Sequence, residues 1–127
     1  VSTSVVRELR RLTDAGYKVS PTILGDKEGF TILSQEENTS LWKLAGEITN
    51  DKLISLFSKE AYINLPDDEK GKIVDKIVDQ AKINARVATA IRLTEGLSGE
   101  DLRRKLSELK AGGVLTREVF SKYKELR

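Results

Sequence analysis

Residues 64–95, NLPDDEKGKIVDKIVDQAKINARVATAIRLTE, decide the fold that this sequence predicts. Pro66 suits the first turn of a helix, where its missing N–H is not needed. The carboxylates of Asp67, Asp68 and Glu69 complement the positive end of the helix dipole. Gly96 then supplies a residue that typically ends a helix. The pattern therefore predicts one long helix over about residues 66–95.

This long helix carries apolar residues on two faces. One stripe is formed by Ile73, Ile77, Ala81, Ala85 and Ala88, with Val74, Val78 and Ile91 beside it. A second set begins on another face with Ile83, Val87 and Ala90. A helix that is apolar on two sides is sandwiched between neighbours. We therefore predict that it is the central element, and that the second set contacts either another part of this chain or a partner.

Four further helices are predicted around it, at about residues 4–15, 35–59, 98–110 and 116–127. Val5, Leu9 and Leu12 follow helical spacing in the first of them. Ser34 and Glu37 form a capping box at the start of the second. The predicted fold class is all-α, with about five helices packed around the long central helix.

The segment before residue 34 is less regular. Residues 22–24 and 30–33 are short β-type runs around a glycine-bounded loop, which indicates a small β-hairpin near residues 22–33, with an irregular loop as the alternative. We interpret residues 1–33 as an N-terminal helix plus this extended segment, and residues 34–127 as a helical bundle module, both within a single compact unit. Methionine is absent, even from position 1, and the last helical pattern has no terminator, so we expect a fragment of a larger protein.

The composition excludes most familiar active sites. Histidine and cysteine are both absent, so the common zinc sites, Ser-His-Asp triads and cysteine nucleophiles cannot be assembled. The acidic clusters lie in first helical turns, where capping explains them. We therefore expect no enzyme, no catalytic residue, no cofactor and no metal. No apolar run approaches the ~18 residues that a membrane span needs, so a soluble chain without a membrane-spanning segment is expected.

Trp42 is the one tryptophan, and it lies beside the main apolar stripe of its helix. We predict that it takes part in a second packing contact rather than forming a platform for a ligand. Together with Ile83, Val87 and Ala90 it is a candidate interaction residue.

The last 30 residues suggest an alternative function. Residues 98–127 hold eight basic and five acidic side chains, which accounts for the whole positive excess of a chain with net charge +2. The two helices there could form a helix-turn-helix, with nucleic acid contacted by Arg103, Arg104, Lys105 and Lys110. Such binding would be mostly to phosphates and would weaken steeply with salt. The second helix has no Asn or Gln to read bases, which favours a helical hairpin used for packing.

The order of several motifs resembles a known type of module. These motifs are Leu33-Ser34-Gln35-Glu36-Glu37, Leu44-Ala45-Gly46, residues 53–57, residues 62–70, Ala81-Lys82 and Ala85-Arg86. Their succession resembles a helical module at the C-terminal side of large polyvalent or internal, ejection-type virion proteins of phages and mobile elements. The turn at residues 112–116 also looks like that of the helical pair that can follow it.

This resemblance implies a function that the residues alone do not give. It implies a structural or delivery protein that is packed in the virion and released with the genome, and it implies no catalytic residues in this chain. The expected partners are the remainder of its own larger chain and neighbouring virion proteins. The expected function is a non-catalytic structural and interaction segment, and the expected location is the virion.

Overall fold

The computed structural model describes residues 3–17 and 29–127 of the chain. These residues form six α-helices and no strand, so the predicted all-α class is confirmed. The helices are α1 (Thr3–Asp14), α2 (Gln35–Phe57), α3 (Glu60–Ile63), α4 (Asp67–Leu93), α5 (Gly99–Ala111) and α6 (Arg117–Leu126).

Local signals place the ends of several helices. At the start of α2, the Ser34 N–H donates to Glu37 Oε1 at 2.8 Å and the Glu37 N–H donates to Ser34 Oγ at 3.1 Å, so the predicted capping box is present. The hydrogen bond from the Ser34 backbone also lowers the pKa of Glu37. Thr116 caps α6 by accepting the Val119 N–H. Gly16 follows α1 with φ +94°, a left-handed conformation that favours glycine.

Two predicted features differ from the structure. Residues 30–33 lie in a turn rather than a strand, and residues 22–24 lie outside the described residues, so the small β-hairpin is not supported. The predicted second helix ends at Phe57, and a separate four-residue helix, α3, follows it. Short helices of this kind lack the repeated apolar spacing that would reveal them in a sequence.

The chain forms two compact units that interleave along the sequence. Unit 1 comprises Val1–Asp26 and Trp42–Lys82, and unit 2 comprises Lys27–Leu41 and Ile83–Arg127. Both α2 and α4 therefore contribute residues to each unit. This grouping differs from the division at residue 33 that the sequence suggested.

The core of unit 1 is formed by side chains from α1, α2, α3 and the first half of α4. Its buried apolar members are Val5, Leu9, Leu12, Ala45, Leu53, Tyr62, Val74, Val78 and Ala81. The buried stripe of α4 thus runs through Val74 and Val78, whereas Ile73 and Ile77, which the sequence placed at its centre, are half-buried. Ala81 and Ala85 of the predicted stripe are buried as expected, so the inward face differs from the predicted one at Ile73, Ile77 and the exposed Ala88.

The core of unit 2 joins the second half of α4 to α5, α6 and the turn before α2. Its buried apolar members are Leu33, Leu41, Ala85, Val87, Ala90, Leu109, Val114, Leu115, Val119 and Tyr123. A buried polar contact lies among them, because Thr94 Oγ1 and Tyr123 Oη are 2.7 Å apart. Arg127 closes the end of α4 by donating to the carbonyl oxygens of Thr94 and Leu97.

Candidate functional site

Unit 1 has an open apolar groove with a volume of about 480 Å³. The groove is lined by Ser4, Glu8, Ile54, Phe57, Ser58, Tyr62, Ile63 and Lys70. Ile54 and Ile63 are 45% and 55% exposed, although they are large aliphatic side chains. Because both line the same open cavity, it is the candidate binding surface of unit 1. We refer to these eight residues as the groove.

The wall of the groove is held in place by Tyr62, which is itself buried. The rings of Phe57 and Tyr62 are tilted against each other with centroids 5.0 Å apart. The Lys70 ammonium lies 5.2 Å from the centroid of the Tyr62 ring, a distance at which a cation is attracted to an aromatic face. Tyr62 also donates from its hydroxyl to Glu8 Oε1 at 3.3 Å. These contacts of Tyr62 hold the short helix α3 in place, and with it the neighbouring residue Ile63.

Glu8, Arg11 and Asp67 form an ion cluster that connects α1 to α4, and the hydrogen bond from Tyr62 to Glu8 adds α3 to it. Arg11 lies 2.8 Å from Glu8 and 3.2 Å from Asp67. The hydrogen bond from Arg11 lowers the pKa of Glu8 and that of Asp67. Burial raises the pKa of Tyr62, and the Glu8 carboxylate raises it further, so the hydroxyl stays a hydrogen-bond donor. The ion cluster holds the Glu8 carboxylate and the Tyr62 hydroxyl in position on the polar side of the groove.

The ion cluster predicts an acid-sensitive stability. Because folding lowers the carboxyl pKa values of Glu8 and Asp67, these groups stabilise the fold above the ordinary carboxyl pKa of about 4. That contribution is lost as the pH falls through the lower pKa values of the folded state. We expect the free energy of unfolding, measured by urea denaturation from pH 6 to pH 3, to fall below about pH 4. In Glu8→Gln that fall should be shallower.

The matched control is Glu100→Gln. Glu100 is exposed and lies 3.7 Å from Arg103, three residues away on the same helix, in a surface pair that contributes little to stability. The acid dependence of Glu100→Gln should follow that of the wild type. Identical profiles for Glu8→Gln and the wild type would show that the cluster does not couple protonation to folding.

The four candidate interaction residues lie in different surroundings. Trp42 is half-buried in unit 1 and does not line the groove. In unit 2, Ile83 is half-buried, whereas Val87 and Ala90 are 2% and 0% exposed. Val87 and Ala90 therefore belong to the core of unit 2 and are not part of an exposed surface. The chain itself covers Val87 and Ala90, whereas a partner contact at the half-buried Ile83 stays a prediction.

The four basic residues proposed for nucleic acid lie beside partners within α5 and α6. Arg103, Arg104 and Lys105 each have a carboxylate between 3.7 and 3.9 Å away on the same helix. The Lys110 ammonium lies 3.8 Å from the centroid of the Phe120 ring. These contacts offset part of the positive charge that the composition of residues 98–127 shows.

A second site in unit 2 was not predicted from the sequence. Asn38 clamps the turn before α2, because its Oδ1 accepts the Phe30 N–H at 2.7 Å and its Nδ2 donates to the Phe30 carbonyl at 2.9 Å. This turn places the Phe30 ring 5.0 Å from the guanidinium of Arg86 on α4. The only signal in the sequence was an asparagine in the first turn of a capped helix, and that pattern is common.

Comparison with known proteins gives this chain no relative. No family model, no curated protein and no solved structure matches it. Among residues 3–17 and 29–127, no helix combines the length and the apolar character needed to cross a membrane. The same residues contain no cluster of three acidic side chains placed to hold a metal ion.

Proposed function

We propose that this chain is a non-catalytic structural and interaction segment, of the kind found in large virion-associated proteins of phages. The observation that carries the proposal is the groove, in which two of the most exposed isoleucines of the described chain lie together. The order of capped helices that resembles internal virion proteins supports the same function. As the central element of such a segment we propose α4, because it contributes buried residues to both units.

The occupant that fits the groove is an amphipathic helix with a carboxylate near its apolar face. Ile54, Phe57 and Ile63 offer apolar contacts, and a helix that lays aliphatic side chains into such a cavity is a recurrent mode of recognition. The aliphatic side chains of a bound helix would cover the apolar surface that Ile54 and Ile63 now expose to water. The hydrophobic effect is the expected source of affinity.

Charge selects an acidic partner over a basic one. Two of the lining residues are charged, and one of them, Glu8, already accepts hydrogen bonds from Arg11 and Tyr62. Lys70 makes no ion pair within 4 Å among the residues that the structure describes. Its ammonium lies over the Tyr62 ring, and its charge helps to lower the pKa values of Glu8 and Asp67. Because it forms no close ion pair there, an Asp or Glu of the partner helix would pair with it.

These 127 residues contain no cysteine, so a cysteine introduced into the groove is the only one among them. A cysteine introduced as Ile63→Cys in the full-length source protein is labelled with a photoactivatable crosslinker, which then lies in the groove. We expect the captured peptide to have helical apolar spacing with an Asp or Glu within one turn of the crosslinked residue. Adding Lys70→Gln should lower the yield severalfold, because the ion pair is lost. The captured peptide also shows whether the partner belongs to the same chain or to a neighbouring protein.

The matched control is Ser107→Cys, an exposed position on α5 that does not line the groove. Equal yields and equal products from the two positions would contradict a docking role of the groove. A yield from Ile63→Cys that Lys70→Gln leaves unchanged would contradict the acidic character of the partner.

The virion part of the proposal has its own test. Mass spectrometry of purified source particles should place peptides of this sequence inside a far longer polypeptide. A complete gene of about this length, or the absence of these peptides from the particle, would overturn the assignment to a large virion protein.

A further inference from the structure

Arg86, in the second half of α4, lacks the solvation or the partner that the other arginines have. Its side chain is partly buried, and its Nε atom is buried without a hydrogen-bond partner. By contrast, Arg11 is held by two carboxylates. Arg127 donates to two carbonyl oxygens. A buried donor that makes no hydrogen bond destabilises a fold.

Among residues 3–17 and 29–127, no charge compensates Arg86. It forms no ion pair or hydrogen bond with the residues that the structure describes, and burial alone lowers its pKa. Its one observed contact of this kind is the ring of Phe30, 5.0 Å from the guanidinium carbon. An aromatic face attracts a cation but offers no acceptor for the N–H groups.

The aromatic neighbour is positioned by a rigid local structure. Asn38 binds both the N–H and the carbonyl of Phe30, and it also donates to the carbonyls of Leu33 and Ser34. A Cβ atom at Gly29 would lie 2.5 Å from Asn38 Cγ, so only glycine allows this approach. These contacts hold the backbone at Phe30, whose ring lies beside the guanidinium.

We propose that Arg86 is a recognition residue for a carboxylate of an acidic partner, with Phe30 as the aromatic wall beside its guanidinium. Nε is buried, so a carboxylate would approach the two terminal nitrogens of the planar guanidinium, whose N–H groups match its two oxygens. In these poorly hydrated surroundings, an ion pair is stronger than at an open surface. The site is distinct from the groove, because all of its residues belong to unit 2.

A carboxylate fits the site better than a phosphate. The guanidinium carries one positive charge, and within the described part of the chain no second charged group shifts its pKa. A carboxylate carries one negative charge, which this cation balances, whereas a phosphate group carries nearly two at neutral pH. A phosphate would need a further cation, as the sites of phosphate-binding arginine clusters provide.

Acetate and inorganic phosphate, added at constant ionic strength, are the probes that test this inference. In the wild type we expect acetate to shift the Arg86 Nε–Hε signal in ¹H–¹⁵N NMR spectra in a saturable way, and to raise the Tm. Arg86→Met keeps the unbranched apolar stem but removes the charge, so it should lose the rise in Tm. Arg103→Met, at an exposed position on α5, should retain the wild-type response to acetate.

The stability of the variants separates recognition from a structural role. If Arg86 serves a partner, Arg86→Met should have a Tm within about 3 °C of the wild type or above it, because an uncompensated charge is removed. A large loss of Tm in Arg86→Met, with no acetate shift in the wild type, would show that Arg86 only shields Phe30 and would overturn the proposal.

Two further outcomes complete the test. If Arg86→Met does not fold, Arg86→Lys keeps the charge without the planar fork and should bind acetate at least threefold more weakly. An acetate response that Arg86→Lys leaves unchanged would overturn the role of the guanidinium. A saturable shift with phosphate at a lower concentration than with acetate would overturn the assignment to a carboxylate.

Discussion

Leu53→Ala should lower the free energy of unfolding by about 2–5 kcal/mol. Leu53 is 0% exposed in the core of unit 1. Truncating it removes buried methyl and methylene groups and leaves a cavity that surrounding side chains fill only in part. A loss of this size is a large part of the total stability of a small protein. Urea denaturation followed by circular dichroism measures it.

The adjacent residue provides the control for this prediction. Ile54 is 45% exposed in the groove, so Ile54→Ala should change the free energy of unfolding by less than about 1 kcal/mol. Its effect should instead fall on docking of the proposed acidic helix. Equal losses from Leu53→Ala and Ile54→Ala would show that the groove is part of the core, and the proposed docking surface would have to be abandoned.

Leu109→Ala tests the core of unit 2 and should also cost about 2–5 kcal/mol. Leu109 is 0% exposed near the end of α5, and its carbonyl accepts the N–H groups of Val114 and Leu115 in the turn that leads to α6. Its side chain therefore lies where α5, the turn and α6 meet. Unfolding curves in guanidinium chloride measure this loss of free energy of unfolding. An unchanged m value shows that unfolding of the variant remains cooperative.

Leu126→Ala is the matched control, because Leu126 is exposed where Leu109 is fully buried. It removes the same atoms from a side chain that is 62% exposed on α6, and it should cost about 0.5 kcal/mol or less. A Leu126→Ala loss close to that of Leu109→Ala would mean that the end of α6 is buried in solution, against another copy or another protein. Sedimentation of the wild type would then identify such an association.

Stability and interaction are expected to depend on different residues of this chain. Leu53 and Leu109 act through burial within the chain, whereas Ile54 and Arg86 are expected to act through a partner. Variants at the first two positions should change unfolding in any assay, with or without a partner. Variants at the other two should leave the isolated chain almost unchanged and should alter binding.

The sequence by itself determined every helix of the described residues except α3, and most of the helix ends. The Ser34–Glu37 capping box, the cap at Thr116 and the left-handed glycine after α1 all depend on groups within a few residues of one another. Such contacts form wherever the local sequence allows them. For this reason the all-α class, and a helix at Asp67–Leu93, could be predicted from patterns of spacing.

Only the tertiary structure decided which helical faces are buried and which residues are left to bind. The apolar spacing of α4 permits burial through Ile73 and Ile77 or through Val74 and Val78, and packing within unit 1 selected the second pair. The groove combines residues as far apart as Ser4 and Lys70, and Arg86 meets Phe30 across more than 50 residues. Burial and charge compensation depend on segments that are distant in the sequence, so spacing along one helix carries no information about them.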